Sequence, residues 1–275
     1  MNINSSVGNN NPLSWNASQK KRVILLGSNG FIGKGLSMAL EKDYEVWKVH
    51  RNTSLVELFE SMQTFDFLIN CASSAATADL VESVESNFDY PLKFFNALKI
   101  RKWIQISSYY QLQIAMGRKD SYTLEKQRFS EFLEMAAFRH GEVSIHHLTM
   151  PHVFGKGGRP GRLVSSAISA FSKNEVFETS SGTQFLPLLH VTDAINGIIR
   201  FMENPTPSAA CEPFWYGTVQ ELLGLISAQF ESAEVLYGRL PDPIDTCFPR
   251  VKFPTSVEGW EPKMQLKEFL EWTRM

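Results

Sequence analysis

The sequence predicts an α/β fold, a doubly wound parallel sheet with a smaller C-terminal lobe, and three observations carry that prediction. Val23 to Leu26 form a short apolar run ending at Gly27, after which Ile32, Leu36, Ala39 and Leu40 recur at helical spacing. Further strand-like runs then alternate with helical segments, the pattern of a parallel sheet covered on both faces. After Gly155 the composition changes, with Gly157, Gly158, Pro160 and Gly161 close together, which marks a second unit.

In order along the chain, residues 1–20 are polar and aperiodic (Ser5, Ser6, Gly8, Asn9 to Asn11) and are expected to be a disordered leader, with folded structure beginning near Lys20. Glu45 to Val49 form a second strand, Phe67 to Ile69 a third, Trp103 to Ile106 a fourth and Val143 to Leu148 a fifth. Leu80, Val81, Val84, Phe88, Leu92 and Phe95 form a broad helical stripe that packs on the sheet and on a second subunit, or else is buried wholly within one chain. Leu163 to Phe171 are helical, and Pro187, Pro205 and Pro207 punctuate the chain beyond that helix. The division expected is a dinucleotide-binding domain at 21–155, with a returning segment near 186–217, and a substrate-binding lobe at 156–185 and 218–275.

Composition bounds the function classes. A chain of 275 residues with 43% hydrophobic and 20% charged residues is an ordinary globular protein, and a net charge of −2 supplies no field for holding nucleic acid. Cys71, Cys211 and Cys247 are odd in number and lack metal spacing, so they read as packing residues of a reducing compartment. No apolar run reaches the ~18 residues that cross a bilayer and no signal-peptide core is present, so a cytoplasmic protein without membrane contact is expected. No His, Cys, Asp or Glu cluster has ligand spacing, and the chemistry is expected to be metal-free.

Two motifs carry that chemistry. In Gly27-Ser28-Asn29-Gly30-Phe31-Ile32-Gly33, Gly27 permits a sharp turn, Gly30 lets backbone approach a pyrophosphate, and Gly33 permits close packing of the helix, whose free N–H groups face the phosphates. At the end of the second strand, Val49-His50-Arg51-Asn52 lacks the acidic residue that would accept the 2′-hydroxyl of NAD. The Arg51 guanidinium matches a 2′-phosphate instead, which points to NADPH. Tyr122 and Lys126 stand at i and i+4 of a helical segment whose buried side is expected to hold Leu124, Phe129, Phe132 and Leu133. A free tyrosine ionises near pH ~10, so a phenol that exchanges protons at neutral pH needs a cation beside it. Ser108, with Ser107 as the competing choice, ends the fourth strand where it could hydrogen-bond a carbonyl oxygen. His152 and His190 read as structural.

Taken together these residues resemble the extended short-chain dehydrogenase/reductase family of NAD-dependent epimerase/dehydratase type, from about Lys21 to the C-terminus. Asn70-Cys71-Ala72-Ser73 resembles that family's cofactor loop after the third strand, and Asn87 its helical asparagine, which supports the active site. Leu148-Thr149-Met150-Pro151-His152-Val153-Phe154-Gly155 resembles its segment past the nicotinamide, placing Pro151 and Val153 on the cofactor. His190-Val191-Thr192-Asp193 and Gly259-Trp260-Glu261-Pro262 match its return and C-terminal motifs.

Ile106-Ser107-Ser108-Tyr109-Tyr110 is most similar to dTDP-4-dehydrorhamnose reductases. The resemblance implies a Rossmann-type, NADP-dependent oxidoreductase that reduces the 4-keto group of a nucleotide-diphosphate-linked deoxy sugar for cell-surface polysaccharide, and a homodimer through a helical bundle. In it Tyr122 gives the proton, Lys126 binds the nicotinamide ribose and Ser108 orients the carbonyl. The alternatives are an epimerase with tightly bound NAD and a non-catalytic dinucleotide sensor. Two departures stand out: the Ser108 to Tyr122 interval is short, and Phe185-Leu186-Pro187 comes after Gly182-Thr183-Gln184 where the family has an arginine. Arg162, Arg250 or Lys252 would then neutralise the diphosphate.

Overall fold

The computed structural model describes residues 20–51, 53–60, 64–74, 79–158, 161–242 and 248–274, so residues 1–19 of the expected leader, Asn52, Pro160 and Cys247 lie outside it. In chain order come β1 (Lys21–Leu26), α1 (Phe31–Leu40), β2 (Tyr44–Val49), α2 (Val56–Glu60), β3 (Thr64–Asn70) and α3 (Leu80–Val84). A π-helical turn (Glu85–Asp89) leads into α4 (Tyr90–Ala97) and β4 (Lys99–Ser108), and a 3-10 turn (Tyr109–Met116) into α5 (Ser121–His140), β5 (Ser144–Met150) and β6 (His152–Phe154). The remainder holds α6 (Leu163–Ser172), β7 (Phe177–Glu178), β8 (Phe185–His190), α7 (Val191–Glu203) and β9 (Ser208–Ala210). It ends with β10 (Trp215–Thr218), α8 (Val219–Ser227), β11 (Val235–Leu236) and α9 (Leu266–Trp272).

Six parallel strands in the order β2-β1-β3-β4-β5-β9 make the large sheet, as the alternation of elements predicts. Because side chains alternate along a strand, Val23 and Leu25 point to one face and Ile24 and Leu26 to the other. The first pair packs with Leu36 and Leu40 of α1 and Ile198 and Phe201 of α7; the second with Phe94 of α4 and Phe129 and Leu133 of α5. Each fully buried side chain of this size contributes roughly 1.5–3 kcal/mol. Cys211 is buried in the first core and Cys71 packs partly buried against it, consistent with packing roles.

Two expectations for helical faces need correction. Leu124 is 37% exposed: five residues before Phe129, it lies about 140° round the helix from that buried ring. Leu80 and Val81 are 61% and 67% exposed, so the stripe they begin is not buried wholly within one chain.

Pro151 ends β5, and β6 crosses into a smaller sheet, β10-β8-β6, whose core joins Phe154, Phe171, Leu188, Leu222 and Phe269. The segment 186–217 therefore divides, with β8 in the small sheet and α7 and β9 against the large one. Buried Asp193 at the start of α7 accepts from the Met264 N–H at 3.0 Å, tying the C-terminal segment to that return.

One buried polar chain connects the sheet to the loop above it. Trp103 Nε1 and Asn70 Nδ2 both donate to Gln105 Oε1, at 3.1 and 3.0 Å, and Asn70 Oδ1 accepts from the Ala72 N–H at 3.1 Å. Gln105 is 1% exposed, so replacing it strands two donors at about 1–3 kcal/mol each. We expect Gln105→Leu to lose roughly 2–4 kcal/mol in urea denaturation. A loss below about 0.5 kcal/mol, the usual range of a surface change, would refute the role given to this chain.

Candidate active site

The chain leaves β1 outwards to β2 and returns on the other side to β3, so the sheet order reverses at β1 and opens a crevice at the strand ends. A cavity of about 1160 Å³ fills it. Gly27 turns the chain there with φ +77°, and a Cβ on it would lie 2.7 Å from the Ala72 nitrogen. A Cβ on Gly33 would be driven into the Gly27 carbonyl. Both positions therefore demand glycine, Gly27 at the rim and Gly33 behind it.

Asn29, Gly30, Phe31 and Ile32 line the cavity, and Gly30 caps α1 with no side-chain hydrogen bond and no acidic residue in the first turn. The free N–H groups and the positive end of the helix are left to an anion. Across from them, Cys71, Ala72 and Ser73 line the wall after β3. Burial pushes the Cys71 thiol up to about 12 against the opposing pull of Lys126, so it stays neutral and is no nucleophile.

Asn87 does not line the cavity. It sits 3% exposed in the π-helical turn, donates from Nδ2 to Ser74 Oγ at 2.8 Å and accepts from the Ser74 N–H at 3.4 Å. The asparagine thus holds the loop from behind, and Ser74, which sequence reasoning passed over, is the residue that faces the cavity.

At the far end, Arg51 donates from Nη2 to Ser86 Oγ at 2.7 Å and pairs with Glu82 at 3.6 Å. Its side chain is 69% exposed, which makes that pair weak and displaceable. Nothing local announces Ser86 or Glu82 as its partners.

Another part of the cavity wall gathers Ser107 and Ser108 from β4, Tyr110 from the 3-10 turn, and Tyr122 and Lys126 from α5. Lys126 is 4% exposed, and its Nζ lies 5.7 Å from the Tyr122 ring centroid. Among the described residues no carboxylate pairs with it. Ser108 Oγ accepts from the Tyr110 N–H at 3.3 Å while the Ser108 N–H donates to Gln111 Oε1 at 2.9 Å, so the hydroxyl is oriented with its proton free to donate. The short interval between Ser108 and Tyr122 is filled by that capped turn.

Met150, Pro151, His152 and Val153 form the wall towards the smaller lobe, joined by Arg162 and, from the last helix, Trp272. Arg250 and Lys252 lie elsewhere, beside Tyr216 in a separate shallow groove. His190 caps α7 through the Thr192 N–H, a structural role. Among the described residues no three metal-binding side chains converge.

A glycine cradle, a bare helix N-terminus, a buried lysine and an arginine at the far rim fit a dinucleotide carrying a diphosphate. Residues 23–214 match the model of the NAD dependent epimerase/dehydratase family. The chain belongs to that family. A curated CDP-abequose synthase of Yersinia pseudotuberculosis is 25% identical over 210 residues, covering 66% of this chain and 74% of the relative.

Among solved structures, UDP-glucose 4-epimerase of Thermotoga maritima with UDP-glucose aligns over 92% of this chain and 97% of its own, with a TM-score of 0.76 and 19% identity. RMD of Pseudomonas aeruginosa complexed with NADPH covers 92% of this chain and 98% of its own, with a TM-score of 0.72 and 17% identity. These likenesses show the fold. Family membership supports a nicotinamide dinucleotide as the cofactor, and no helix among the described residues is long and apolar enough to cross a membrane.

His152 generates a pH prediction. Desolvation by the surrounding wall, with Arg162 beside it, lowers its folded pKa from 6.5 to about 4. The unfolded state therefore binds more protons between those values, and stability present above pH 6.5 is lost as pH falls towards 4. Burial lowers His146, His147 and His190 in the same direction. Urea titrations from pH 7.5 to 4 should show a shallower loss for His152→Asn than for the wild type, and parallel curves would count against it.

Proposed function

We propose that the protein is an NADPH-dependent reductase of the 4-keto group of a nucleotide-diphosphate-linked deoxy sugar. The observation that carries this reading is the convergence of Ser108, Tyr122 and Lys126 on the cavity that also receives the bare N-terminus of α1. When bound, the dinucleotide supplies hydride to the carbonyl carbon. Tyr122 donates the proton to the oxygen, Ser108 holds that oxygen where charge develops, and Lys126 binds the nicotinamide ribose and keeps positive charge beside the phenol. The relatedness to a CDP-abequose synthase supports a nucleotide sugar as substrate, and Arg162, which lines the cavity, would meet its diphosphate.

Arg51, released from Glu82, would take the 2′-phosphate. The same Glu82 favours a second reading, an epimerase with tightly held NAD, because a carboxylate at this rim could accept from an unmodified ribose. Absorbance separates the two: a reductase consumes NADPH in step with substrate, an epimerase shows no net change.

Exposed Leu124, Met135 and Phe138 share one face of α5, and α3, which carries exposed Leu80 and Val81, packs against α5. That surface supports a homodimer in a soluble, cytoplasmic enzyme, and sedimentation velocity should find two chains; a monomer at micromolar concentration would exclude it.

Two substitutions test the chemistry. Tyr122→Phe should keep cofactor affinity, read by fluorescence titration, yet lose turnover by about 10²–10⁴-fold. Retained turnover would exclude its role. Arg51→Ala should weaken NADPH far more than NADH, and equal losses would refute the cofactor assignment.

A further inference from the structure

Arg118 lies on the connection between the 3-10 turn and α5, where a charged side chain would ordinarily stand in water. It is instead 6% exposed. Its Nε donates to Asp120 Oδ2 at 2.5 Å and to Thr123 Oγ1 at 3.2 Å, and its Nη1 donates to Gln113 Oε1 at 2.9 Å. The guanidinium carbon sits 3.5 Å from the centroid of the Tyr110 ring. Thr123 and Gln113 are themselves buried, at 0% and 3% exposure.

Two of these contacts lead to Tyr122 by separate routes. Asp120 is the N-cap of α5, its Oδ1 accepting from the Thr123 N–H at 2.9 Å, so one carboxylate holds both the guanidinium and the start of the helix that carries Tyr122. Tyr110, stacked on Arg118, meets the Tyr122 ring edge-on, with centroids 6.3 Å apart and planes at 87°. Tyr109 packs on Tyr110 at 4.3 Å and closes that side.

Taking a guanidinium out of water costs several kcal/mol before its contacts offset it, and an apolar side chain would fill the same space without that cost. The planar fork does what an apolar group or an ammonium cannot: it binds in its own plane while stacking on a ring with its face.

We propose that Arg118, which does not line the cavity, is a positioning residue. Through the Tyr110 stack and the Asp120 cap it fixes the angle of the Tyr122 phenol and holds Tyr110 as the wall against which the sugar ring rests. This inference rests on the proton-donor reading of Tyr122, and its test separates the two.

The protein would be labelled uniformly with 3-fluorotyrosine, and the Tyr122 resonance assigned by its loss in Tyr122→Phe. Arg118→Met should move or broaden that resonance and lower kcat by roughly 10- to 100-fold on CDP- or dTDP-linked 4-keto-6-deoxy sugars. Cofactor affinity should stay within about twofold, since the glycine turn is untouched. Tyr110→Leu, which leaves Arg118 in place, should reproduce both effects, and Arg118→Lys should fail to rescue them.

A folded Arg118→Met with an unmoved Tyr122 resonance would overturn the proposal. So would a parallel fall in kcat, cofactor affinity and melting temperature, which is the mark of general destabilisation. Should Arg118→Met not fold, Arg118→Lys and Tyr110→Leu decide by the same readouts. If the wild type reduces no keto sugar nucleotide, the reading of Tyr122 fails alone, and the fluorine resonances still decide the geometry.

Discussion

At the turn after β1 the backbone of α1 meets the backbone of the strand end with nothing between them. Side chains at Gly27 and Gly33 would strike the Ala72 nitrogen and the Gly27 carbonyl, so the approach exists only because both are absent. That closeness brings the start of α1 to the point where the sheet order reverses and presents its unsatisfied N–H groups to the crevice. The loop after β3 is set from the same place, since the Cys71 N–H donates to the Leu26 carbonyl at 3.0 Å.

Around this fixed corner the walls are held by a few buried polar contacts. Gln105 collects the Trp103 and Asn70 donors under the loop, and Asn87 holds Ser74 from behind. The π-helical turn is the means for the latter: an extra residue per turn re-aims a side chain without ending the helix, and such turns gather at functional sites. Lys126, buried without a carboxylate partner among the described residues, lines the cavity. The smaller lobe contributes Arg162 and Trp272, so the cleft is complete only where both sheets meet.

Much of this was legible in the residues. Glycines three apart after an apolar run, and a tyrosine and lysine one helical turn apart, are local patterns whose geometry comes from backbone periodicity. The structure lines the cavity with Gly27, Gly30, Tyr122 and Lys126. The parallel sheet was legible in the alternation of elements. Less legible were contacts between residues far apart in sequence: Ser86 and Glu82 on Arg51, Ser74 on Asn87, Trp272 from the last helix. The outward register of Leu124 was missed because apolar character alone does not say which side of a helix a residue occupies.

The sequence by itself determined the layered α/β architecture, the glycine turn and the Tyr-Lys pair, because periodicity and backbone sterics act over a few neighbouring residues. Tertiary structure alone decided that Asn87 is bonded to Ser74, that Arg51 is already engaged, and that Arg118 is buried under Tyr110. Those outcomes depend on which side chains the packed helices and loops bring within a few ångströms, and that distance is set by the whole core.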